Sequence, residues 1–286
     1  MKSLYLGLVA SLTLIFLCPI YSFAQEQEPL RADWLARDYQ SVGLISLLAS
    51  STPLTPQRIG DILGVGNALE EDELGFGATT FDIARGNGYT TLYVEGFAFR
   101  GSIGFYKVGI RASAEQWPGL RELIVDLWKQ NGGPTYHETG TGLVHTQTND
   151  EVFLAYKSSV VSELGEMKTA DVPEELKKSF DYLTSPIGVW AIGDRHGKIA
   201  IDALVNAKRV DLIENVLKGF NPRGRVYAAL ALLRLSKDNR LVLSSDMIST
   251  IAKVINLALT IRTVSGCIVS SRTAQEILSE PHGAEP

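Results

Sequence analysis

Cysteine is almost absent from this sequence, with Cys18 and Cys267 the two in 286 residues. Cys18 lies in a segment with the marks of a secretory signal, so the exported chain is expected to keep one thiol and form no internal disulfide, even in an oxidising compartment. Stability must then come from burial. Histidine is scarce too: the four stand at 137, 145, 196 and 282, and none has the i, i+4 helical spacing of a zinc protease. There is no Cys-x-x-Cys, no His-Glu-x-x-His, no Gly-x-Ser-x-Gly elbow and no phosphate-cradling Gly-Lys-Ser/Thr loop, while GVGNAL at 64–69 breaks the dinucleotide pattern at its third glycine. Hydrolase and nucleotide-binding chemistry therefore lack their usual local signatures, although residues from distant segments can still converge on an active site. After the N-terminal segment no apolar run approaches the roughly 20 residues that span a bilayer. A soluble product without stable membrane insertion is expected.

The first 24 residues combine Lys2, an apolar run from Leu4 to Leu17, and the small residues Ser22 and Ala24, three and one positions before a cut. This pattern predicts a cleavable signal peptide and a periplasmic or secreted mature chain starting near Gln25. A lipoprotein alternative would lipidate Cys18, but Leu17 stands where that processing needs a small residue. The remaining 262 residues suffice for one large or two ordinary domains, and two are expected.

The net charge of −5 is unevenly spread: residues 25–90 carry −6 and residues 197–243 carry +5. A basic segment can attract nucleic acid or anionic lipid. Its Lys and Arg fall mostly on the polar faces of amphipathic helices, so a solvated surface is expected and no nucleic-acid partner. The acidic run Glu70, Glu71, Asp72, Glu73 lacks the alternating spacing and turn glycine of an EF-hand, and reads as a solvated loop.

Residues 25–50 hold an apolar patch from Val42 to Leu48, followed by a short helix capped by Thr55 with Pro56 at its first position. Tyr89–Phe99 and Ile103–Ile110 form a hairpin about Arg100, Gly101 and Ser102, with Gly96, Gly104 and Gly109 marking bulges or close packing. Tyr93, Phe97, Phe99, Phe105 and Tyr106 make it aromatic, but alternation puts only about half of them on any single face, so a core packed on the following helix is expected in preference to a ligand groove or a partner-binding sheet face. In that helix Leu120, Leu123, Ile124, Leu127 and Trp128 repeat at helical spacing up to the Asn131–Pro134 stop. A second hairpin is expected from Gly142–Thr148 and Glu151–Tyr156. The fold class is thus α+β, with antiparallel hairpins packed on a helix over 30–167. A boundary at 165–172 leads into an all-α region over 172–280.

In that region helices are expected over 174–183, 198–206, 209–218, 224–236 and 246–259, the last capped by Ser245. Paired short helices joined by Asn-Pro or Gly, as in KGFNPRGRVYAALALLRL, resemble HEAT-like α-hairpin repeats across 197–259. The resemblance implies a scaffold that binds partners through a surface. A plain helical bundle accounts for the same pattern.

Three groups are candidates for chemistry. Cys267 lacks an obvious activator, sits six residues before a helix whose Thr273 and Glu276 match a capping box, and has apolar neighbours in Ile268 and Val269 that favour burial. His137, Glu138 and His145 flank a Gly-rich turn and are the histidine cluster placed for metal or acid–base work. Asp194 and His196, in GDRHG, read as a helix cap and its neighbour. The sequence as a whole predicts a cofactor-free, metal-free, non-catalytic binding or scaffold protein whose partner is another envelope or extracellular protein. The alternative is a hydrolytic or thiol enzyme using Cys267 or the His137/Glu138/His145 group.

Overall fold

The computed structural model describes residues 31–51, 54–65, 70–86, 88–189, 191–257 and 259–279. The expected signal segment and residues 66–69 of GVGNAL lie outside the described residues. The chain runs through α1 (Ala32–Ser50), α2 (Pro56–Leu63), β1 (Glu70–Gly75), β2 (Ala78–Gly86), β3 (Thr91–Phe99), β4 (Ser102–Arg111), α3 (Trp117–Gln130), β5 (His137–Thr139), β6 (Gly142–Thr148) and α4 (Asp150–Leu164). The six strands form an antiparallel sheet in the order β1-β2-β3-β4-β6-β5. The expected hairpin is β3–β4, whose turn residues Arg100 and Gly101 both have positive φ, as a tight turn matched to strand twist requires. Gly104 is the extra residue of a bulge opposite Phe97 and Ala98, and a Cβ there would strike the Phe97 ring.

Strand alternation gives the sheet two unlike faces. Phe81, Val94, Tyr106 and Val108 point to one, where Val42, Ile45 and Leu48 of α1, Ile59 and Leu63 of α2, and Leu120, Ile124 and Trp128 of α3 complete a core. Ala78, Phe97 and Phe99 point to the other, where they meet Tyr156 and Val160 of α4 and the helical region that follows. The aromatic hairpin is therefore divided between two cores, as alternation requires, with Tyr106 on the α3 side and Phe97, Phe99 and Phe105 on the other. The buried carboxylate of Asp38 in α1 ties the first layer to the β2–β3 turn, accepting from the backbone of Tyr89 and Thr90 and from Thr90 Oγ1 at 2.6 Å.

Two expectations give way here. Residues 151–156 are helical, because Asn149 caps Val152 N, Asp150 and Glu151 suit the positive end of the helix, and Tyr156, Val160 and Leu164 recur every four residues toward the sheet. The acidic run is the edge strand β1, with Asp72 opposite Thr80 in the ladder.

Beyond the irregular segment 165–173 come α5 (Glu174–Thr184), α6 (Arg195–Asn206), α7 (Val210–Leu217), α8 (Pro222–Lys237), α9 (Ser245–Asn256), β7 (Thr260–Ser265), β8 (Ile268–Thr273) and α10 (Ala274–Ser279). The final expected helix ends early, is capped by Ser244 instead of Ser245, and gives way to the β7–β8 hairpin. The capping box at the start of α10 forms as expected: Glu276 Oε2 accepts from Thr273 N at 2.7 Å, and Glu276 N donates to Thr273 Oγ1 at 3.2 Å. In α8, 11 of 16 residues are buried, and the helix packs against α5, α6, α7, α9, α10 and β7. Solenoid units touch only their sequence neighbours. The helical region is instead a bundle about α8. Among the described residues no helix is long and apolar enough to cross a membrane.

Candidate functional site: a polar cleft at the start of α8

The helix-side face of the sheet changes character along its strands. Toward β1 it carries Asp72, Thr80, Asp82 and Glu95, which share that face through the pairs Asp72 with Thr80 and Asp82 with Glu95. Facing them are the first turn of α8, the α5–α6 loop and β7. Together these enclose a cleft of about 220 Å³, with Asp72, Asp82, Glu95, Arg223 and Arg262 as its charged lining and Pro186–Val189 as one wall.

Arg223 is 2% exposed. Its Nη2 lies 2.7 Å from Asp72 Oδ2, and Nη2 of Arg262 approaches the same oxygen at 3.1 Å. One carboxylate oxygen thus serves two guanidinium groups. The Arg223 contact is close enough for an ion pair but lacks hydrogen-bond alignment, and Arg223 Nε has no acceptor. Burial lowers the pKa of the guanidinium below its ordinary value, and the charge of Asp72 opposes that shift. Across the cleft, Glu95 is held by Lys107 at 2.7 Å.

The fully buried Asn221 positions this arrangement. Its Oδ1 caps α8 by accepting from Arg223 N at 2.9 Å and Gly224 N at 3.3 Å. Its Nδ2 donates to the carbonyl oxygens of Ser185 at 3.1 Å and Val189 at 3.0 Å, with Pro186 O at 3.5 Å. One side chain therefore fixes both the helix that carries Arg223 and the loop that walls the cleft. Gly224 makes the approach possible, because a Cβ there would overlap the Leu183 carbonyl oxygen.

Two residues on, and so on nearly the opposite side of the helix, Arg225 is fully buried. Its guanidinium donates to Gly219 O at 2.7 Å and Phe220 O at 3.3 Å, reaches Leu74 O at 3.5 Å and Tyr156 Oη at 3.4 Å, and stacks 5.2 Å over the Phe76 ring. It joins β1, α4 and α8 at one point. On the other side of Pro186 and Ile187 lies an apolar groove of about 460 Å³, lined by Phe97, Phe105, Phe153 and Phe220 with Asp150 and Asp181 among the polar residues.

The residues singled out from the sequence lie elsewhere. Cys267 is exposed in the two-residue turn of β7–β8, not buried, because the apolar Ile268 and Val269 beside it also face outward. Glu138 is engaged by Arg121 through two contacts of 2.7 and 2.8 Å, and His145 Nδ1 lies 2.8 Å from Thr135 O. His137 and His145 project to opposite faces of the sheet, since His137 pairs with Val144 and not with His145. Among the described residues no group of three His, Cys, Asp or Glu could hold a metal ion. Asp194 caps α6 by accepting from His196 N and Gly197 N, and Tyr182 donates to it at 2.7 Å, while His196 is 80% exposed. Burial, reinforced by the bond to Asp194, raises the Tyr182 pKa strongly, and burial pushes that of Tyr227 to about 12.

No family model matches the chain, and no curated protein or solved structure matches it.

Arg223, Arg225, Asp72, Arg262 and Asn221 were not among the expected site residues. Three basic residues of the +5 segment, Lys218, Arg223 and Arg225, are buried and not solvated. A signal was present: two arginines in the first turn of a helix oppose its dipole, so they are placed there for something other than helix stability.

Proposed function

We propose that this chain is an exported, non-catalytic binding protein of the periplasm or cell exterior, and that the cleft beside α8 receives an anionic group carried by a small molecule. One observation carries this reading: Arg223 is buried, its Nε has no acceptor, and it shares a single oxygen of Asp72 with Arg262. Buried donors without partners cost about 1–3 kcal/mol each, so a ligand oxygen that takes over Arg262 and leaves Asp72 to Arg223 relieves part of that cost. The lining pairs its charges: Glu95 is engaged by Lys107 and Asp72 by two arginines, with Asp82 the third carboxylate of the cleft.

Calorimetric titration of the mature protein with butyrate and with butylammonium tests the site. Butyrate should bind weakly and lose affinity in Arg262→Gln. Binding of butylammonium alone, or of neither probe, refutes the assignment. Export is checked by fractionating cells that express the full tagged chain and sequencing the product's N-terminus, which should begin near Gln25. Uncleaved cytoplasmic protein would overturn that part.

A further inference from the structure

We infer that the anionic group enters as the head of an amphiphile, a carboxylate on an unbranched apolar chain, with the head in the polar cleft and the chain in the neighbouring aromatic groove. This rests on the anion-binding reading above and extends it to a ligand class. The two hollows share Pro186 and Ile187 as a wall. They also meet on β3, where Gly96 borders the cleft and its neighbour Phe97 lines the groove. Ile187, 40% exposed, leaves an apolar crest over which a chain can pass.

Charge sets the direction of binding. The groove's charged lining is Asp150 and Asp181 alone, whereas the cleft sets Arg223 and Arg262 among its carboxylates Asp72, Asp82 and Glu95, so a carboxylate finds cationic donors in the cleft and none in the groove. Arg262, with its side chain 18% exposed, is the guanidinium a ligand reaches first. Once a ligand oxygen takes Arg262, Asp72 is released to serve Arg223 alone, whose Nε lacks an acceptor. Binding thus removes the sharing of one oxygen between two cations. The groove is walled by four phenylalanine rings, and each methylene buried in such a setting raises affinity about fourfold.

Calorimetry with butyrate, decanoate, decanol and decylammonium tests the inference on the mature protein. Decanoate should bind about a hundredfold or more tighter than butyrate, and decanol and decylammonium more weakly than decanoate. Arg262→Gln should weaken decanoate roughly ten- to a hundredfold. Phe105→Ala, confirmed folded by near-UV circular dichroism, should cut the decanoate-to-butyrate ratio about tenfold. Equal affinities for butyrate and decanoate, both sensitive to Arg262, would remove the groove and leave the anion site standing. Tighter binding of decylammonium, or no binding by either carboxylate, would remove both.

Discussion

The side-chain amide of Asn221 donates to the carbonyl oxygen of Val189 across 3.0 Å while its own oxygen caps the helix that carries Arg223. Helix start and cleft wall are therefore one structural unit, and its integrity can be measured by dividing the two halves of this amide.

Asn221→Asp keeps the capping acceptor and loses the donor, whereas Asn221→Ala loses both. The alanine variant should lower unfolding free energy by about 3 kcal/mol, from a lost cap of about 1 kcal/mol and carbonyls left buried without donors. The aspartate variant still caps but sets a carboxylate against three carbonyl oxygens, so it too should be less stable than the parent. Urea midpoints report this. A midpoint unchanged in both variants would show that the loop is held by other contacts.

Arg225 is satisfied by backbone carbonyls and a tyrosine hydroxyl. Arg225→Met should destabilise by about 3 kcal/mol, since the orphaned carbonyls outweigh the saving in charge burial. Tyr156→Phe should cost about 1 kcal/mol. Because the two side chains touch, the double variant should fall short of the sum. Strict additivity would mean that they do not act together.

The phenol of Tyr227 accepts from Gly193 N at 2.8 Å and donates to Asp194 O at 3.2 Å, and burial holds its pKa near 12. The folded state thus binds this proton more tightly than the unfolded chain. Its contribution is complete below the ordinary tyrosine value of 10.0 and disappears as pH rises from there through about 12. Unfolding free energies between these limits should fall, and Tyr227→Phe should flatten the decline. An equally steep decline in that variant would assign the effect elsewhere, with Tyr182 the next group to test.

Cys267 at the hairpin tip is accessible. Ellman's reagent should therefore modify it without denaturant in native protein lacking residues 1–24, which include Cys18, and Cys267→Ser should abolish the signal. Slow reaction would mean that another surface covers β7–β8. Fast labelling reports the exposure of this thiol and not its chemistry.

Much of this chain could be read locally. The β3–β4 hairpin, α3, the Thr55–Pro56 start of α2 and the Thr273–Glu276 capping box form where expected, because alternation, helical spacing and capping act over a few residues. Local signals misled where two structures suit the same residues. Val152, Phe153 and Tyr156 favour a strand by type, yet Asn149 and the four-residue spacing toward the sheet made α4 a helix.

The sequence by itself determined the β3–β4 hairpin, α2, α3, the helices α5–α8, the α+β class and the shortage of cysteine, all properties of neighbouring residues. The tertiary structure alone decided that Asp72, Arg223 and Arg262, from an edge strand, a helix start and a late hairpin, meet at one carboxylate oxygen. It also decided that the basic segment sends Arg223 and Arg225 inward. The physical reason is that burying a charge depends on which partners the rest of the fold delivers, and no short window of sequence contains them.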